Sequence, residues 1–379
     1  MWKRWAGTAG VAGLLGCSTV TLRDDPFGGH PTPRLQPAFT VDWWQPLVHS
    51  PLLEYVPRET ATPALDVKTG QVIALTRDGW VRALGEGGAI TWSFKTAAPF
   101  IAGALADPAA VYVPGGDGTL YALDPNTGQA KWRYSTGEAL ATVPVRAGEL
   151  ILVASESDTL FAVNASTGAL AWQYRRDPPL GFTIYGVSSP VVRGDVLYRG
   201  SSGGAVVALQ VADGTVRWEK QLATSGGPFG DVDTTPVFDE AGRMYMASYR
   251  DGLFSLNPET GDLLWRTPTA GITSLIGRGD VLFAAGDQRV DAYHAATGKL
   301  LWTRDIPGRA AQAPLLTRQA LLVPTQRALL FLDPATGRSR LRWNPGDGVT
   351  ATPRLAQAHV YVLSNLGYLY SMQLEGQGG

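Results

Sequence analysis

Hydrophobic residues in this chain come in short alternating runs cut by glycine-containing turns, and few stretches carry the i, i+3, i+4 apolar stripe of a helix. In "VYVPGGDGTLYALDPNTGQAKWRY" an apolar run, Val111 to Val113, meets an Asp117-Gly118 turn. A second run with Leu120 and Ala122 meets the turn Asn126-Thr127-Gly128, and a strand carrying Trp132 follows. Glycine supplies the positive φ such turns need, and Asp or Asn hydrogen-bonds its own following backbone. Upstream of such a pair lies an inner strand, commonly led by a proline: Pro63, Pro144, Pro190, Pro236, Pro314 and Pro353. At the first residue of a strand proline removes no ladder hydrogen bond. Each unit therefore predicts four strands.

The unit repeats. The segments "VRALGEGGAITW", "LYALDPNTGQAKW", "LFAVNASTGALAW", "VVALQVADGTVRW", "LFSLNPETGDLLW", "VDAYHAATGKLLW" and "LLFLDPATGRSRLRW" end on Trp92, Trp132, Trp172, Trp218, Trp265, Trp302 and Trp343. Their spacings are 40, 40, 46, 47, 37 and 41 residues, a period that marks a β-propeller. A last unit, "VYVLSNLGYLYSMQL", stops before any tryptophan strand, while "FTVDWW" (Phe39 to Trp44) is a strand without a neighbour. Joining the two closes the ring and hides both sheet edges. The expectation is an all-β, eight-bladed propeller of four-stranded antiparallel blades over 39–379, closed by an N-terminal strand on the C-terminal blade. The tryptophans recur once per repeat, so they read as packing between blades rather than as a ligand platform.

Composition narrows the function. Lys+Arg 32 against Asp+Glu 33 leaves no basic field to hold nucleic acid. The 45 glycines, 26 prolines and 12 tryptophans suit strands and tight turns. The one cysteine, Cys17, excludes an intramolecular disulfide or a zinc cluster. It follows Lys3, Arg4 and a short apolar stretch ending Leu14-Leu15-Gly16, the form of a secretory signal over 1–16. That run resembles a bacterial lipobox, which implies lipidation of Cys17 and a membrane anchor; Ser18, by the same resemblance, implies delivery to the outer membrane. Residues 17–38 hold four prolines and no periodicity, and read as a tether. Extended, it would reach roughly 65 to 75 Å.

Catalytic signatures are missing from the sequence. His30, His49, His294 and His359 form no HxH or HExxH pair, and no GxSxG or GxxxxGK[ST] occurs. Departures from the repeat point elsewhere. Five and three residues before the inner-strand prolines stand Arg58 and Thr60, Ala139 and Ala141, Tyr185 and Val187, Asp231 and Asp233, Arg309 and Ala311, Gly348 and Thr350. One blade alone puts two acids there. The two longest spacings fall in "RRDPPLGFTIYGVSSP" and "QLATSGGPFGDVDTTP", neighbouring loops expected on the same face of the ring. They gather Phe182, Ile184, Tyr185, Phe229, Asp231 and Asp233 into a protein-docking patch. The alternative is that the two acids cap loop amides while the apolar residues tuck inward.

The "LDPxTGxxxW" unit, over about residues 60 to 371, resembles the repeat of pyrroloquinoline quinone enzymes. Those quinoproteins carry an adjacent cysteine pair, which this chain lacks, so no cofactor is expected. The lipobox, the repeats and "DVDTTPV" opening the fifth blade together resemble the BamB family, the propeller lipoproteins of the outer-membrane β-barrel assembly machinery. The resemblance implies a non-catalytic scaffold that binds the POTRA region of the barrel protein BamA through these two loops, with unfolded outer membrane proteins as further partners and a periplasm-facing, lipid-anchored location. Asp231 and Asp233 match the family's two aspartates. The preceding loop departs: Phe182 and Ile184 keep an apolar pair, but Tyr185 stands where the family has arginine. A periplasmic propeller binding a small molecule or polysaccharide in its channel, or a degenerate quinoprotein, is the other reading.

Overall fold

The computed structural model describes residues 39–48, 58–176, 187–223, 230–310 and 312–374. The signal, Cys17 and the tether lie outside them. The chain forms eight four-stranded antiparallel sheets, seven of them hydrogen-bonded in sequence order from the inner to the outer strand and the eighth taking its outer strand from the N-terminal end. They are the blades of a propeller. The inner strands of the proline-led blades begin at the residue after the proline, as at Ala64, Val145, Val191, Val237, Leu315 and Arg354. Middle strands such as Leu150–Ala154 and Leu160–Asn164 are almost wholly buried, while outer strands such as Leu170–Tyr174 alternate. The core is accordingly divided into clusters, each formed where two neighbouring blades face one another.

What joins blade to blade is the outer-strand tryptophan. Trp132 donates its indole N–H to the Ala165 carbonyl of the next blade at 3.0 Å, and Trp172 donates to that of Val211 at 2.9 Å. Trp92, Trp218, Trp265 and Trp302 make the same bond to Pro125, Pro258, Ala295 and Pro334. The ring lies flat on the glycine of that turn. At Gly168, φ is +76° and an added Cβ would stand 2.7 Å from the Trp132 ring, so a side chain there is excluded twice over. The tryptophan also needs room within its own blade. It pairs across the sheet with a small residue, Ala122 for Trp132 and Ala162 for Trp172, next to a one-residue bulge.

Closure follows the same rule with two changes. The strand Phe39–Pro46 is the outer strand of the eighth blade, pairing with Tyr368–Leu374 from Phe39 opposite Leu374 to Pro46 opposite Tyr368. Its bulge falls between Val41 and Trp43, and Trp43 pairs with the small Ser371. An added Cβ on Gly88 of the first blade would lie 2.6 Å from the Trp43 ring. Trp43 is thus the seventh member of the tryptophan series, beside the six that hydrogen-bond the next blade. Trp343, aligned with that series by sequence, is not in register with it. Leu341 occupies the slot opposite Phe331, a small-for-large exchange across the pair. Trp343 instead packs edge-on against Phe39 and Tyr370, at 5.2 and 5.0 Å between centroids, and Phe39 stacks on Phe331.

The seam between the first and last blades is also tied by charge. The buried Glu59 carboxylate meets Arg77 Nη1 at 2.9 Å, and the same nitrogen donates to the Asn365 carbonyl of the last blade at 2.8 Å. The matching position in other blades holds Leu140, Val232, Ala310 or Val349, all without exposure.

Replacing Trp172 by alanine removes the indole bond and leaves a void between two blades, and is expected to cost about 3–5 kcal/mol. Trp44→Ala, on the same strand as Trp43 but 57% exposed, should stay within about 0.5 kcal/mol. Urea unfolding of the two variants checks the contrast.

Candidate docking site

The residues 230–236 are an extended approach to the inner strand of the fifth blade, and alternate side chains go to opposite sides. Val232 and Thr234 face the fold. Val232 is fully buried among Tyr198, Met244 and Met246, and its N–H donates to the Ser201 carbonyl of the fourth blade at 3.1 Å. Thr234 Oγ1 accepts from the Ala247 N–H at 2.8 Å and donates back to its carbonyl at 3.2 Å. In the third blade Thr142 takes the Ala154 N–H in the same way. Half of "DVDTTP" is therefore repeat chemistry. It is pressed so closely on Gly200 that a Cβ there would collide with the Val232 carbonyl.

The stems of the two long loops meet at this point. Arg176, where the first loop leaves the sheet, donates from Nη1 to Ser201 Oγ at 2.9 Å, the residue whose carbonyl holds Val232. Ser188, where that loop returns, donates from Oγ to the Thr234 carbonyl at 2.9 Å and accepts from the Gly200 N–H at 3.0 Å. The described stems of the two loops therefore stand side by side. Phe182, Ile184, Tyr185 and Phe229 lie outside the described residues, so the apolar part of the patch rests on sequence.

The two acids differ. Asp231 is 3% exposed, a buried residue rather than the exposed charge of a surface patch. Its neighbour Gly230 lies under the Arg250 guanidinium, which pairs with Asp251 at 3.0 Å. Asp233 is half-buried, and its Oδ1 is shut away from solvent with no hydrogen-bond donor among the described residues. Burial pushes the Asp233 carboxyl up to about 6. The Asp231 charge adds to the rise, while the residue's own backbone amide and Arg309 pull it down. Arg309 in turn pairs with Asp287 at 3.2 Å, and Asp287 accepts from the Tyr249 hydroxyl. Thr234 therefore holds the Ala247 amide and Val232 tucks inward, whereas Asp233 carries an Oδ1 that no donor among the described residues meets.

Sequence inspection missed the arginines that frame this face. Arg199, 2% exposed on a middle strand, pairs with Asp158 of the preceding blade, and burial lowers its pKa. A lone arginine inside an apolar run, "VLYRG", was the available signal. Among the described residues no group of three or more His, Cys, Asp or Glu is placed to hold a metal ion.

Comparison with known proteins adds a consistent picture. A family model described as outer membrane protein assembly factor BamB matches residues 77–287 and 286–376. The protein of that name from Salmonella typhimurium is 28% identical over 97% of this chain and 97% of its own length. Among solved structures, BamB from Moraxella catarrhalis superposes with a TM-score of 0.78 at 21% identity, covering 89% of this chain and 100% of that one. A quinohemoprotein alcohol dehydrogenase from Comamonas testosteroni gives 0.70 at 15% identity over 90% of this chain and 77% of its own. At such identities the two structural likenesses speak to the fold alone.

Asp233 is protonated more readily in the folded chain than its ordinary value of 3.8 allows. Its contribution to stability is full at low pH and lost as the pH rises through about 6. Asp233→Asn lacks this loss. Urea midpoints measured from pH 4 to 7 should therefore move in favour of the variant as the pH rises, and parallel curves would refute the burial of this carboxylate.

Proposed function

Because this chain belongs to the family of the outer membrane protein assembly factor BamB, we propose that it is a non-catalytic scaffold of outer-membrane protein assembly, docking the POTRA region of a BamA-like barrel protein on its loop face. The observation that carries this reading is the half-buried Asp233 carboxylate, whose Oδ1 meets no donor among the described residues, set between the stems of two long loops. A partner cation placed over this group compensates the charge that the described residues leave unpaired. Such a contact forms in a partly dehydrated place and is worth more than one at an open surface. Phe182, Ile184 and Tyr185 add apolar contact around it. Asp231, being buried, acts from behind by holding the loop and its charge near Asp233.

The rest of the assignment follows from the same premise. Acylation of Cys17 holds the ring at the outer membrane on its periplasmic side, and the tether lets the loop face reach its partner. With Tyr185 where the family has arginine, the contact relies less on a cation from this chain. No bond is made or broken in such a role; the ring positions a partner that folds or inserts barrel proteins.

Lysine at Asp231 would strand a cation in the interior, so the informative change is Asp233→Asn, which keeps shape and removes charge. Binding of a soluble POTRA region should weaken about tenfold or more, mainly through faster dissociation. Wild-type affinity should also fall as the pH drops through about 6, where Asp233 takes up its proton. A variant that binds like the wild type would sink the reading.

A further inference from the structure

The blades seven and eight are charged unlike the rest of the ring. Residues 306–374 hold seven arginines, Arg309, Arg318, Arg327, Arg338, Arg340, Arg342 and Arg354, against Asp333 and Asp347, and no lysine or glutamate. That is a net +5, or +4 once Asp42 on the eighth blade's outer strand is counted, within a chain of formal charge −1. Some of the excess is neutralised locally: Arg309 pairs with Asp287, and Arg340 with Asp333. Arg318 has neither an ion pair nor a side-chain hydrogen bond among the described residues.

Arg318 sits at a cavity. Between the inner-strand hairpins of blades six, seven and eight lies an open cavity of about 430 Å³, lined by Arg278, Leu316, Thr317, Arg318, Leu355, Gln357 and Ala358. No carboxylate lines it. The nearest acid in sequence is Asp280, on the same turn as Arg278. Arg278 is held in place by donating from Nη1 to the Thr317 carbonyl at 3.4 Å. Thr317 is occupied in closing its own turn, where its Oγ1 accepts from the Ala320 N–H at 3.0 Å and donates back to the Ala320 carbonyl at 3.0 Å.

We propose that this cavity binds a phosphate group carried on an apolar chain. Two guanidiniums beside one cavity repel each other when it holds only water, and an anion between them reverses the sign of that interaction. Guanidinium geometry suits phosphate oxygens, and two such groups match a phosphate's charge better than a single carboxylate's. The volume is larger than phosphate needs and falls in the range of organic ligand sites. Leu316 and Leu355, both half-buried, give the excess space an apolar wall. The phosphate source is either a lipid headgroup or a soluble phosphate ester. In an antiparallel blade the turn after the inner strand lies on the face opposite the segment that enters it. The cavity is therefore on the rim away from Asp233, and both sites can be filled at once.

Calorimetric titration of the full chain with dihexanoylphosphatidic acid, inorganic phosphate and dihexanoylphosphatidylcholine tests the site. The phosphatidic acid should bind saturably, and more tightly than the other two. Arg318→Gln and Arg278→Gln should each weaken it about tenfold or more. Their melting should be unchanged, because both side chains are exposed. Leu355→Asn should weaken the lipid and spare phosphate. Inorganic phosphate binding as tightly as the lipid would overturn the apolar part and assign the site to soluble phosphate esters. Absence of saturable binding, or arginine variants that bind like the wild type, would overturn the proposal. Asp233→Asn should leave these titrations untouched, so failure here is separable from failure of the docking reading.

Discussion

Everything in this ring depends on an indole lying flat on the turn of the next blade. A four-stranded sheet of five-residue strands buries too little to stand alone, and its outer strand is an open edge. The tryptophan solves both problems at once: its ring covers a glycine turn, and its N–H satisfies a carbonyl that the turn would otherwise leave unpaired. The contact runs in one direction, from the outer strand to the following blade, in every blade but the seventh. The last blade meets the first in the same way, which is the place Trp43 takes. The propeller is thus held largely by one local contact repeated around a circle.

Between the seventh and eighth blades the chain uses different means. Phe39, Phe331, Trp343 and Tyr370 form an aromatic cluster where the repeat would have put a tryptophan on a glycine. The last blade has no turn after its third strand to receive an indole, since its outer strand comes from the other end of the chain. Glu59 and Arg77 add an ion pair in a position that is apolar elsewhere. Burial pushes the Glu59 carboxyl up to about 7 against the pull of Arg77, so the pair specifies which blades meet more than it adds net stability.

The proposed docking face draws on the strand's period of two. Val232 and Thr234 are committed to the interface between blades, which leaves Asp233 and Thr235 between and beyond them to differ from the repeat without loss of fold. Asp233 uses that freedom: the neighbouring residues fix its backbone, and no donor among the described residues answers its Oδ1. The opposite rim shows the same economy, with Arg318 on a turn whose geometry is already closed by Thr317.

The sequence by itself determined the blade count, the four strands per blade, the closing strand and the neighbouring position of the two loops. These follow from periodicity and turn chemistry, which are local. It also singled out Asp231 and Asp233, because they break the repeat. Only the tertiary structure decided that Asp231 is buried and that Asp233 is half-buried, with an Oδ1 that no described donor meets, since burial depends on the blade that packs alongside. Trp43 belongs to the tryptophan series and Trp343 does not, a matter of register across strands from opposite ends of the chain, which no spacing along the chain records. Arg199 with Asp158 and Arg278 with Arg318 likewise come from adjacent blades, and Arg77 with the Asn365 carbonyl from the first and last, 288 residues apart, which ring closure alone brings within reach.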